Sequence, residues 1–327
     1  MKKIVLLSDS KLLSSDQNAN DIKFVSGLAA QSHFEFVHLA NFELESLAPM
    51  LPELAGLFIN SISDEHLAKF KEHFEEKILK NFVHAIIDPD NLSLLPIVLS
   101  PANVGHIVVR RYDSYDQEMR LYSRIISSTQ QERASDLQSI FPTAKLVDMK
   151  LTKVTQRDDA IQMVLQKLVN FGASKSITQS IVTAVDELLI NALHDSKIDT
   201  RQPSTKAMPT SDTVNDLIGR AVVDIQCTID DSYFGVAVTD HMGSLDHAKL
   251  FGRIARSYSG LQTIDISLSK SGAGAGVGLS MVLRSGGSLF LSCRPGEKTT
   301  ATVIFKITDR MLDFKKQFQF MSTQFDA

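Results

Sequence analysis

Three separated segments carry residue types whose spacing suits chemistry. In the helix that carries Asp186-Glu187-Leu188-Leu189-Ile190-Asn191-Ala192, the residues Ile181, Val185, Leu188 and Ala192 mark an apolar stripe, and Glu187, Asn191 and His194 cluster about a turn apart on roughly the other side. A carboxylate and an amide oxygen held together are hard oxygen donors, the kind Mg²⁺ takes; the plainer alternative is a solvated polar face. In Val236-Ala237-Val238-Thr239-Asp240-His241-Met242-Gly243, an acid leaves an apolar run into a glycine turn. It is either a turn former or a carboxylate that accepts from an exocyclic amine such as that of adenine. In Gly272-Ala273-Gly274-Ala275-Gly276-Val277-Gly278-Leu279-Ser280, alternating glycines free backbone N–H groups to face phosphate oxygens ahead of a helix N-terminus. No GK[ST] follows, so this is not a Walker loop, and a flexible linker is the competing reading.

The elements that must position these segments can be read from periodicity. Candidate strands Ile4–Leu7, Phe34–Leu39, Gly56–Ile59, His84–Ile87 and Ile107–Arg110 alternate with helix-like stretches, most clearly Asp64–Lys77. That alternation predicts a parallel sheet covered on both faces, a flavodoxin-like sandwich. A helix from about Ser114 to Ile140, apolar at its ends and polar in its middle, reads as a connector. A strand near Ala144–Leu151 and helices Asp158–Phe171 and Ser176–Ser196 follow, with Gly172 as a stop and Ser176/Gln179 as a capping box. Lys197–Asp216 is loop-like in composition. Strands are predicted at Val222–Ile229, Gly235–Thr239, Phe290–Ser292 and Thr300–Ile307, and Asp309–Ala327 reads as an amphipathic helical tail.

Composition bounds the function classes. The chain has 327 residues, 43% hydrophobic and 22% charged, which suits two globular domains. A formal charge of -4 supplies no electrostatic footprint for nucleic acid. The first apolar run is short for a signal peptide, and no stretch approaches the roughly 18 apolar residues of a membrane span, so a cytoplasmic protein without membrane partners is expected. Cys227 and Cys293 form no CxxC pair and read as reduced core residues.

The order of the three segments resembles the GHKL superfamily, the ATPase fold shared by sensor histidine kinases and anti-sigma-factor serine kinases. Glu187-Leu188-Leu189-Ile190-Asn191-Ala192 is similar to its N box, and Gly274-Ala275-Gly276-Val277-Gly278-Leu279-Ser280 to its second glycine box. Asp240 falls where the adenine-binding Asp belongs, while Gly286-Gly287-Ser288-Leu289 and Pro295-Gly296-Glu297-Lys298-Thr299-Thr300 resemble the closing strands. The resemblance covers residues 145–308 and implies a Bergerat-type α/β sandwich binding ATP and Mg²⁺. It implies Asn191 as metal ligand, Glu187 as the catalytic residue, and Asp240 on adenine. Gly243, Lys270, Gly272, Gly274, Gly276, Gly278, Leu279 and Thr299 complete the expected nucleotide contacts, with a lid between Gly243 and Gly274.

The N-terminal domain resembles a response-regulator receiver in strand order, with Asn60 where the phosphoacceptor Asp belongs, one acid in Ser8-Asp9-Ser10, and Arg110-Arg111 in place of the expected Lys. An amide cannot form the acyl phosphate, so a pseudo-receiver used for docking or homodimerisation is expected. The domain reading is 1–125 receiver-like, 126–144 connector, 145–310 ATPase and 311–327 helical tail. Two departures bear on turnover: His241-Met242-Gly243 replaces the usual D-x-G-x-G continuation, and His194 stands where a Lys often lies. The connecting helix holds no phosphoacceptor His. The expected function is therefore an ATP-Mg-binding regulator that phosphorylates Ser or Thr on a protein partner. Its rivals are a nucleotide-sensing interaction module without turnover and a histidine kinase acting in trans.

Overall fold

The computed structural model describes residues 1–9, 13–60, 64–73, 82–87, 105–109, 116–129, 137–195, 222–230, 232–245, 282, 286–308 and 319–325. These fall into two compact units, residues up to 129 with residues 319–324 in the first, and residues 137–308 in the second.

In the first unit, β1 (Lys3–Leu7), β2 (Glu35–Leu39), β3 (Leu54–Ile59), β4 (Val83–Ile87) and β5 (His106–Val109) form a parallel sheet in the order β2-β1-β3-β4-β5. β3 and β4 are buried throughout and β1 from Ile4 to Leu7, as a parallel sheet covered on both faces requires. Helix α1 (Ser15–Gln31) starts at a capping box in which Ser14 and Gln17 bond reciprocally, and it buries Phe24, Val25 and Leu28. The short α2 (Leu44–Leu47) and α3 (Asp64–His73) follow β2 and β3. Beyond His73, the predicted helix Asp64–Lys77 lies outside the described residues, as does Arg110.

The predicted connector resolves into two pieces. Helix α4 (Asp116–Thr129) packs on α1 and buries Met119, Leu121, Tyr122, Ile125 and Ile126, so it belongs to the first unit. Helix α5 (Leu137–Ile140) and Phe141 belong to the second, where Leu137 and Phe141 press on Gly235. Each apolar end packs into the core of its own unit, and the polar middle of the predicted connector, residues 130–136, lies outside the described residues.

The second unit is an antiparallel sheet. Strand β6 (Val147–Leu151) pairs with β7 (Val223–Asp230), β7 with β8 (Tyr233–Asp240), β8 with β10 (Lys298–Lys306), and β10 with β9 (Ser288–Arg294). Helices α6 (Arg157–Phe171) and α7 (Lys175–Asp195) pack on one another and over β7 and β8. Helix α6 ends at Gly172, whose φ of 88° is the left-handed stop the sequence suggests. Helix α7 begins two residues earlier than the proposed capping box allows: the Thr178 N–H donates to the Ser174 carbonyl at 2.9 Å, which puts Ser176 inside the first turn.

The C-terminal expectation is corrected. Residues 319–325 form strand β11 (Gln319–Phe325), antiparallel to β5 with Phe320 opposite Val108, and not a helix. The unpaired edge of β5 needs hydrogen-bond partners, and a segment rich in Phe, Ser and Thr supplies them.

Candidate functional site

Register fixes which side chains share a face of the second sheet. Val223, Asp240, Thr299 and Cys293 lie directly opposite one another across β7, β8, β10 and β9, and therefore on one face. Cys227 alternates onto that same face with Val223 and Ile225, and all three are fully buried while Asp224 and Gln226 between them are not, so the helices that pack over β7 and β8 cover this side. Burial pushes the Cys227 thiol up to about 11, which suits an inert core group. Thr299 Oγ1 lies 3.9 Å from Cys293 Sγ. The row Asp240–Thr299–Cys293 thus places a carboxylate, a hydroxyl and a thiol side by side at the exit of β8.

Asp240 is 5% exposed, and its Oδ1 accepts from the Met242 N–H at 2.9 Å and the Gly243 N–H at 3.3 Å. These bonds orient the carboxylate and form the turn. Gly243 has φ 57°, and a Cβ there would stand 2.2 Å from the Arg294 carbonyl oxygen and 2.6 Å from the Gly296 nitrogen. The Gly296 N–H donates to the Gly243 carbonyl at 3.2 Å, clasping the β8 exit to the β9–β10 hairpin. Gly243 is glycine because of that backbone approach. His241 Nε2 lies 2.8 Å from Asp224 Oδ2, and Asp224 is opposite Thr239, so this pair occupies the other face.

Above the Asp240 face, α7 buries Ile177, Ile181, Val185, Leu188, Leu189, Ala192 and Leu193. Glu187 and Asn191 are half-buried, one helical turn apart, as the sequence predicts. Burial, reinforced by the neighbouring Asp186, holds the Glu187 carboxyl above its ordinary range, against an opposing pull from Arg157. Arg157 clamps Asp186 bidentately, Nε to Oδ1 at 2.6 Å and Nη2 to Oδ2 at 2.5 Å, and so ties the start of α6 to α7 beside Glu187. Lying 29 positions apart in sequence, this pair has no local signature there.

Asp240, Gly243 and Thr299 therefore come together, while Glu187 and Asn191 sit on the helix covering their face. Lys270, Gly272, Gly274, Gly276, Gly278 and Leu279 lie outside the described residues, as does the His194 side chain. Val282, just beyond the glycine run, packs near the place a Gly287 Cβ would take, with Phe305 beside it. Among the described residues no three His, Cys, Asp or Glu side chains gather as a metal cage. A half-buried amide and a desolvated carboxylate still fit Mg²⁺, which keeps several waters and leans on substrate phosphates.

At the C-terminal edge of the first sheet, Asn60 follows β3 and its Nδ2 donates to Asn18 Oδ1 at 3.2 Å. Ser8 Oγ lies 2.6 Å from His38 Nε2, and Asp9 Oδ2 lies 3.4 Å from His66 Nε2. The register that puts an amide at the end of β3 is thus as expected, and Arg110-Arg111 fall outside the described residues.

No protein-family model matches the chain, and a search of curated proteins finds no match. Among the described residues, no helix is long and apolar enough to cross a membrane.

Proposed function

We propose that the second unit is a GHKL-type, Bergerat-fold nucleotide site that binds ATP with Mg²⁺. One observation carries the reading: a buried, pre-oriented Asp240 lies in register with Thr299 on the sheet face that the Glu187/Asn191 helix covers. Asp240 and Thr299 accept and donate hydrogen bonds at the base, Asn191 ligates the metal, and Glu187 orients or deprotonates the attacking hydroxyl. On the resemblance, Lys270, Gly272, Gly274, Gly276, Gly278 and Leu279 are assigned to the phosphates. Bound Mg²⁺ supplies charge neutralisation at the transferred phosphoryl group. The first unit, with strand order β2-β1-β3-β4-β5, is read as a flavodoxin-like pseudo-receiver, because Asn60 cannot carry an acyl phosphate.

The protein acts on this reading as a cytoplasmic regulator that transfers phosphate to Ser or Thr of a protein partner. Glu187→Ala should abolish ³²P transfer from ATP to a captured partner and leave the Kd for ATP within about twofold of wild type. Equal transfer by both proteins would remove Glu187 from the mechanism. A second reading, a nucleotide-operated interaction module without turnover, draws support from His241: it turns away to Asp224, and the family's second turn glycine has no counterpart there. Partner capture that changes between ATP and ADP while no label is transferred would favour it.

A further inference from the structure

The core of the first unit holds a polar stack that the proposed function does not use. His84 of β4 stands directly opposite Phe58 of β3 and His106 of β5, all on one face. The His84 ring stacks on Phe58 at 4.6 Å between centroids and 12° between planes, and on His106 at 4.4 Å and 17°. Both histidines are at most 3% exposed. His84 Nδ1 lies 2.8 Å from the Tyr122 hydroxyl of α4, and Tyr122 is itself wholly buried and edge-on to both Phe58 and His84. The other ring nitrogen of His84 lies over Gly56, 3.4 Å from where a Cβ would stand. Among the described residues, the groups facing the His84 ring are thus Gly56 and Phe58 of β3, His106 of β5 and Tyr122 of α4. Two of these four are titratable, and none is a carboxylate that could pair with an imidazolium.

We propose that His84, stacked between Phe58 and His106, is a proton-sensitive latch, which holds α4 on the first sheet while its ring is neutral and releases it on acidification. The chemistry is one of burial and like charge. Desolvation, and then the neighbouring His106, hold the His84 imidazole well below its ordinary 6.5. A ring with a depressed value in the folded state takes up its proton only on opening. The open state therefore gains as pH falls below 6.5, by about tenfold per unit for this one ring. α4 is the element to move, because its Tyr122 is the side chain bonded to the titrating ring and Met119 closes the same helix onto Gly27 of α1.

The test is hydrogen exchange on the full chain at pH 7.5 and pH 5.5, corrected for intrinsic exchange rates. Peptides of α4 are read against those of α7 in the same sample. The latch predicts that α4 loses about tenfold protection at pH 5.5 while α7 does not change. It also predicts that the paired substitution His84→Phe with Tyr122→Phe, which keeps the stack and leaves neither polar partner behind, removes that loss. Unchanged α4 protection, or an equal loss in the paired variant, overturns the proposal. A ¹³C-histidine NMR titration of wild type needs no variant. A His84 signal, assigned by its contacts to Phe58 and Tyr122, that titrates near 6.5 within the folded protein overturns it as well.

Discussion

Glu187 is a carboxylate kept where it is uncomfortable. It sits half-buried on α7, next to the ion-paired Asp186, and burial raises its carboxyl above the ordinary 4.5. The folded protein then holds that proton to higher pH than the unfolded chain does. The resulting destabilisation is absent below the unfolded value and complete once pH has risen through the folded one. Glu187→Gln is therefore expected to raise the melting temperature at pH 8 and to leave it unchanged at pH 4, where both side chains are neutral. An identical shift at the two pH values would mean that the charge, and with it this account of Glu187, plays no part. A destabilising carboxylate on the helix that covers Asp240 is the pattern expected if the proposed nucleotide site is there.

At the scale of elements, the site depends on how β8 leaves the sheet. Asp240 caps the turn through its own Oδ1, and the turn is clasped by the β9–β10 hairpin through Gly243. Gly243→Ala puts a methyl into backbone atoms at positive φ, so unfolding should become easier by at least about 2 kcal/mol, measured by denaturant titration. Loss of less than half of that would show that the hairpin gives way freely. The helices and strands around this turn were legible in sequence because each has one buried face and a clear period: α6 stops at Gly172, and α7 presents Glu187 opposite Ile181, Val185 and Leu188. What sequence hid was non-local. The Arg157–Asp186 clamp, the His241–Asp224 pair and the hairpin against Gly243 join segments whose proximity only the sheet register creates. The tail misled for the opposite reason: Phe314, Phe318 and Phe325 fit a helical spacing, but β5 offered an unpaired edge, and tertiary pairing decided the conformation of residues 319–325.

At the scale of the molecule, the chain joins a parallel sheet to an antiparallel one, with the supposed connector divided between them. The first unit has the parallel strand order β2-β1-β3-β4-β5, with Asn60 just after β3, and buries the titratable ring of His84 in its core. The second unit lines up Asp240 and Thr299 beneath α7. Its nucleotide chemistry is the central claim, and calorimetric titration of the full chain with ATP, with and without Mg²⁺, beside Asn191→Ala, tests it most directly. Wild type is expected to bind ATP in a Mg²⁺-dependent manner, weakened at least tenfold by Asn191→Ala. Absence of any binding heat at millimolar ATP, or binding indifferent to both Mg²⁺ and Asn191, would contradict it.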